Sequence, residues 1–246
     1  MWINALIWFI IGSVVGSFLN VVIYRLPRNL KLHDPPRSFC PHCGSTIAWY
    51  DNIPLLSYLI LKGRCRVCGA SISIRYPLVE LLTALGFMIG AISFDTIGTL
   101  FNALVVASLI VLTFIDLETL IIPDTTVILI LLSGIFWSMI KGEAWYLNII
   151  VGAVTFGLGY ILAVVSKGLG MGDVKLLGAM GTLLGVYGTI FAILIASVVG
   201  SILGIFLLAK KRVTMKTKIP FGPFLALGTF VSMYLSDRFF LLLMGG

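Results

Sequence analysis

Long apolar stretches alternate with short polar breaks along almost the whole chain, at about residues 2–24, 77–94, 98–115, 125–140, 145–165, 174–184, 187–209 and 219–243. An apolar helix of roughly 20 residues crosses a hydrocarbon core of about 30 Å. The pattern therefore predicts an all-α polytopic membrane protein of about eight transmembrane helices. One long polar interval breaks it, so the expected organisation is a first membrane helix over 1–24, a small cytoplasmic domain over 25–76, and a membrane domain of about seven helices over 77–246. The first apolar run differs from a cleaved signal, because its neighbouring basic residue, Arg25, follows it instead of preceding it. It reads as an anchor.

Composition agrees with the pattern: 59% of the residues are hydrophobic and 11% charged, with a mean hydropathy of +1.11. The net charge of +7 gains its meaning from where the charges fall. If 25–76 faces the cytoplasm, then all 17 Lys and Arg except Lys141 and Arg238 lie on that side, in the 25–76 segment, beside Lys167 and Lys175, and in the run from Lys210 to Lys218. This is the positive-inside distribution, with both termini outward. Topology accounts for the basic charge, and nucleic acid is not an expected partner.

All four cysteines lie in the polar interval, as Cys40-Pro-His-Cys43-Gly and Cys65-Arg-Val-Cys68-Gly. Two CxxC knuckles, each followed by glycine, have the spacing of a tetrahedral zinc site with four thiolate ligands. Two disulfides or four free thiols are the alternatives, but a reducing cytoplasm disfavours disulfides. Four protein ligands close the coordination sphere, so the expected zinc is structural, folding a segment too small to build its own core. His42 sits inside the first knuckle as a bystander.

Three aspartates stand at the predicted cytoplasmic ends of spans: Asp116 in LTFIDLETLIIPD, Asp124 at the end of that stretch, and Asp173 in GLGMGDVKL. Asp124 and Asp173 precede apolar runs, where a carboxylate is a favoured N-cap. Asp116 follows its apolar run, so its charge would meet the unfavourable end of a helix dipole, and capping does not explain it. Exposure to water beside Glu118 is one explanation, and function is the other, because ionisable residues in spans are costly. Gly168, Gly170 and Gly172 ahead of Asp173 leave room for a backbone to approach. Two facing carboxylates would share one proton, one activating water while the other donates to a peptide carbonyl. The chain has no GxSxG or HExxH motif, and its histidines, His33 and His42, lie near the cysteines.

With these residues in place, the sequence closely resembles the bacterial type IV prepilin peptidases. The resemblance rests on GSFLNVVIYRLPR at 16–28, CPHCG at 40–44, WYDNIPLLSYLILKGRCRVCG at 49–69, RYPLVELL at 75–82, FIDLETLIIPD at 114–124, GMGDVKLLG at 170–178 and PFGPFLALG at 220–228. It implies a GxGD-type intramembrane aspartyl endopeptidase of the bacterial inner membrane, with Asp116 and Asp173 at the catalytic positions. It further implies prepilins or pseudopilins as substrates, their basic leader cut after a glycine at the cytoplasmic membrane face. Many members then methylate the new N-terminal residue with S-adenosylmethionine, and by the same resemblance that second site falls loosely within residues 16–80. Glu80 could face it, or could be a solvated interfacial residue pairing with Arg75.

PFGPF is expected to break or bend the start of the last helix, near the cleft by resemblance. Lys175 reads as a positive-inside anchor or as a group orienting the product carboxylate. A zinc-capped transporter using the two aspartates as an ion path, and a pilus-assembly adaptor, are the competing functions. Gly181/Gly185 and Gly200/Gly204 suit close packing within a bundle or between subunits, so no oligomeric state follows from them.

Overall fold

The computed structural model describes residues 2–33, 37–142, 145–166, 168–210, 217 and 219–243. Lys167 and the basic residues Lys211, Arg212, Lys216 and Lys218 of the predicted inside turns lie outside the described residues. Among the described residues the structure is helical: α1 (Trp2–Arg25), short α2 (Leu56–Ile60), α3 (Arg75–Ser93), α4 (Thr96–Thr119), α5 (Asp124–Ile140), α6 (Trp145–Ser166), α7 (Met171–Ala209) and α8 (Gly222–Leu243). The chain divides into two compact units, residues 1–111 and 112–246, with the boundary inside α4.

In the first unit, α1 and α3 pack closely because small residues leave no side chain between them. A methyl added to Gly16 would come within 2.7 Å of the Glu80 Cα, and one added to Gly12 within 2.7 Å of the Ala84 Cα. Without a hydrophobic drive between helices in lipid, such van der Waals contact is a main source of association. Asn20 in α1 donates from Nδ2 to the Tyr76 carbonyl at 3.1 Å, holding the same ends together. Asp95 caps α4 by accepting the Gly98 N–H at 2.9 Å, and Asn102 donates to the Gly86 carbonyl of α3 at 3.1 Å.

The second unit is built around α7, whose 39 residues contain one non-helical position, Gly185, at φ 66° and ψ −169°. A straight helix would separate Gly172 from Gly200 by about 42 Å. Yet Gly172 and Gly222 both abut the Ile122 side chain, and Gly200 abuts Phe224, two residues into α8. The chain therefore folds back at Gly185 into two helical arms. The first arm runs along α5 and α6, with Gly134 against Leu183 and Gly181 against Gly152. The second runs antiparallel to α8: Gly188 accepts the Ser232 hydroxyl at 2.7 Å near its start, whereas Gly200 meets the first turn of α8.

Among the described residues, five helices are long and apolar enough to cross a membrane, α1, α3, α4, α6 and α7, while α5 and Gly222–Ser236 of α8 are apolar but shorter. The expected segments 174–184 and 187–209 correspond to the two arms of α7. The first arm, residues 171–184, extends only about 21 Å, less than a hydrocarbon core. The last helix starts at Gly222, not at residue 219, with Pro223 in its first turn, where its missing N–H costs nothing. The predicted bend is a helix start.

Candidate active site and cysteine centre

Asp116 lies in the last turn of α4 and is only 4% exposed, which removes the solvated reading. Its Oδ2 accepts the Gly222 N–H at 3.0 Å. Gly222 opens α8, so the charge that ends one helix meets the positive end of another, which resolves the dipole conflict seen in the sequence. Space is short there: an added methyl would lie 2.6 Å from Asp116 Oδ2 and 3.1 Å from Ile122 Cδ1, so a side chain would have to displace one of them.

Asp173 stands at the third residue of α7, not at its N-cap, which is Gly170. Its Oδ2 reaches back to accept the Gly170 N–H at 3.3 Å, the acidic half of a capping box. Ile122 connects the two carboxylate supports, because its side chain abuts both Gly172 and Gly222. The two carboxylates are close enough for the charge of Asp116 to act on Asp173. Two acids from different helices are thus brought together, each held by a backbone N–H at a helix start.

Asp124 departs from its expected capping role. It is the first residue of α5, Pro123 occupies the N-cap, and no side chain caps the helix. Asp124 instead accepts from Lys175 Nζ at 2.7 Å in an exposed ion pair, which also gives Lys175 a structural partner. The pair borders a groove of about 490 Å³ between α5, α6 and the first arm of α7, lined by Val127, Leu131, Phe156 and Gly178 among others. Neither Asp116 nor Asp173 lines that groove.

The cysteine segment folds as two equivalent knuckles. In the first, Cys40 N–H donates to the Ser45 carbonyl and Gly44 N–H to the Cys40 carbonyl; in the second, Cys65 N–H donates to Ala70 and Gly69 N–H to Cys65. Gly44 and Gly69 both have φ of 71°, a left-handed conformation that explains glycine after each CxxC. The four Sγ atoms lie within 4.8 Å of one another, and Cys40 and Cys68 Sγ are 3.9 Å apart. A tetrahedron with zinc–sulfur bonds of about 2.3 Å has edges of roughly 3.8 Å, so the cluster fits such an ion. His42 is not part of the cluster. Beside the knuckles, Arg66 donates to both carboxylate oxygens of Asp51, at 2.7 and 2.6 Å, and holds that acid below the usual carboxylate range.

Glu80 is 9% exposed, so it is not the solvated residue that the sequence left open. Its Oε2 accepts the Leu55 N–H at 2.8 Å, and Ser17 of α1 is a second hydrogen-bond partner. Glu80 therefore ties the polar segment to α1 and α3. Asn20 Oδ1, also buried, has no hydrogen-bond partner among the described residues. Nothing in the apolar pattern singled out Asn20 or Gly222, although both lie within stretches that carry the resemblance.

Comparison with known proteins gives concordant matches. Residues 10–94 match the bacterial peptidase A24 N-terminal domain, and residues 103–205 match the type IV leader peptidase family. A prepilin leader peptidase/N-methyltransferase of Aeromonas hydrophila is 36% identical over 96% of this chain and 92% of its own length. A type 4 prepilin-like proteins leader peptide-processing enzyme of Escherichia coli O78:H11 is 39% identical, covering 93% of each chain. A prepilin leader peptidase/N-methyltransferase of Myxococcus xanthus is 41% identical over 83% of this chain and 63% of its own. No solved structure matches significantly. The two acids held at helix starts thus belong to a multi-pass membrane peptidase, and the chain is a member of the type IV leader peptidase family.

Proposed function

We propose that the chain is an intramembrane aspartyl endopeptidase that removes the basic leader of type IV prepilins or pseudopilins, with Asp116 and Asp173 as its catalytic pair. The observation that carries this reading is the convergence of two otherwise isolated acids, one buried at the end of α4 and one at the start of α7. In the reaction, the ionised member takes a proton from water, the water oxygen attacks the scissile carbonyl carbon, and the protonated member donates to the carbonyl oxygen. In the collapse of the tetrahedral intermediate the C–N bond breaks as the acid that took the water proton delivers it to the amine nitrogen, while the other acid takes a proton back from the intermediate's hydroxyl. The Gly222 and Gly170 N–H groups keep the pair oriented, and because the two carboxylates interact, their protons belong to the pair and not to either acid.

The active side is the cytoplasmic face of the bacterial inner membrane, both termini are outside, and the chain crosses about eight times with the first arm of α7 as a short inserted segment. This topology follows the distribution of basic residues. It presents the pair to a substrate whose apolar helix lies in the bilayer and whose leader lies in the cytoplasm. The four cysteines hold a structural zinc ion, with no open position for chemistry.

N-methylation of the new N-terminal residue is the second activity, as the names of the Aeromonas and Myxococcus relatives suggest, and S-adenosylmethionine supplies the methyl group. Within residues 16–80, Asn20 Oδ1 is a buried acceptor without a donor, which suits an amino or cationic group. The transporter and adaptor readings have no support among the relatives.

The test is leader removal from a purified prepilin in lipid, comparing the wild type with Asp116→Asn and Asp173→Asn. Cleavage by either variant, in a protein that remains folded, would defeat the assignment. Transfer of a labelled methyl group to a precleaved substrate, measured alongside, reads the second activity independently.

A further inference from the structure

One face of α2 is left open to its surroundings by the described residues. Leu56, Leu59 and Ile60 lie at helical spacing on one side of α2, and Leu59 and Ile60 are 70% and 72% exposed. Trp49, 80% exposed, stands in the adjoining turn. The opposite side is fixed inward: buried Ser57 donates to the Tyr50 carbonyl at 3.0 Å and accepts the Ile53 N–H at 3.0 Å. The turn at Trp49 and α2 therefore form one small body with an apolar outer face.

Depth decides what covers that face. Leu55, the residue before α2, has a positive φ of 62° and donates its N–H to Glu80 at 2.8 Å. Glu80 lies five residues inside α3, about 7.5 Å below its start at Arg75. On the α1 side, the Glu80 Cα lies against Gly16, nine residues before the end of that helix at Arg25, or about 13 Å along it. Both α1 and α3 are apolar enough to cross a membrane, so the start of α2 is pinned at a level that belongs to the spans, not above them. Exposed Lys62 and Arg64 follow α2 directly, whereas neighbouring Arg66 is occupied by Asp51.

We infer that α2 and Trp49 form an interfacial anchor that buries its apolar face in the bilayer, with Lys62 and Arg64 against anionic phospholipid headgroups. An apolar face, a tryptophan and adjacent basic residues are the composition of a segment lying in the membrane interface. The anchor keeps the cysteine segment against the leaflet from which it emerges, and it does not depend on the peptidase assignment.

A photoreactive benzophenone residue at Leu59, or separately at Ile60, tests this in the full-length protein reconstituted with phosphatidylethanolamine and phosphatidylglycerol. Ile10, exposed on α1, serves as the bilayer reference. Both labelled proteins are expected to be monodisperse and to form lipid adducts within about threefold of the Ile10 yield, as a face in the acyl boundary should. Absence of lipid adducts at both positions while Ile10 reacts, or crosslinking to a second copy of the chain instead, would overturn the inference. A share of phosphatidylglycerol adducts at Leu59 that is unchanged by Lys62→Gln with Arg64→Gln would overturn its electrostatic part.

Discussion

The Asp116 carboxylate accepts the Gly222 backbone N–H at 3.0 Å across 106 residues of sequence, joining the end of α4 to the start of α8. That bond explains how an acid persists at a helix C-terminus. It also gives a sharp test of support as distinct from chemistry. In Gly222→Ala, the added methyl would come within 2.6 Å of Asp116 Oδ2, so either the carboxylate or α8 must shift. A displacement near 1 Å at a reacting group costs on the order of 100-fold in rate. Prepilin cleavage by Gly222→Ala should therefore fall about that much in kcat, with KM little changed, in steady-state assays of the reconstituted enzyme.

Asp116→Asn and Asp173→Asn are expected to lose cleavage by at least about 10³-fold, in the range that general acid–base groups supply. The double variant should be no worse than the single variants, because residues acting as one unit are not additive. Asp124→Asn breaks only an exposed ion pair with Lys175, worth about 0–1 kcal/mol. It should keep near-wild-type cleavage and shift thermal unfolding only slightly. A loss from Asp124→Asn as severe as from Asp173→Asn would move the catalytic pair.

These residues differ in how readable they were from the sequence. Cysteine pairs with fixed spacing and acids inside apolar runs announce themselves, because the residue type itself is costly or specialised. The alternation of apolar runs and polar breaks likewise located the helices, including the division of α7 near Gly185. The Gly222 donor left no such mark: it is a backbone N–H, and its partner is remote in sequence. Asp124 looked like a cap because local sequence shows the helix that follows but not Lys175, 51 residues later. Glu80 was legible as an unusual acid, but its Leu55 partner depends on the path of an irregular loop.

The cysteine centre makes a prediction about order of reaction once metal is removed by a strong chelator. The Ser45 hydroxyl beside Cys43 brings that thiol down from 9.0 to about 6, so above that pH it is thiolate. Cys68 is favoured as an anion by a backbone hydrogen bond from Ala70, but desolvation and the neighbouring sulfurs outweigh it and push the thiol up to about 11. Because the thiolate is the nucleophile and both thiols are exposed, iodoacetamide at pH 7 should label Cys43 before Cys68, read by peptide mass spectrometry. Metal-loaded protein should resist labelling at all four positions. Protons compete with the metal for all four thiolates, so metal retention should decline in acid, not in base.

The fold-back of α7 rests on a single backbone position. Gly185 combines φ 66° with ψ −169°, a region that is essentially closed to residues with a Cβ. Space is also short, since an added methyl would lie 3.2 Å from Asn148 Oδ1. Gly185→Ala is therefore expected to destabilise the second unit by about 1–3 kcal/mol. Gly204→Ala lies in the same helix with open space around it, so it tests whether loss of a glycine alone matters. It should be neutral or slightly stabilising, since alanine is the better helix former. Thermal unfolding in detergent, followed by circular dichroism, should lower the midpoint for Gly185→Ala alone. Equal midpoints for the two variants would mean that α7 tolerates a Cβ at its reversal, and the two-arm description would have to be abandoned.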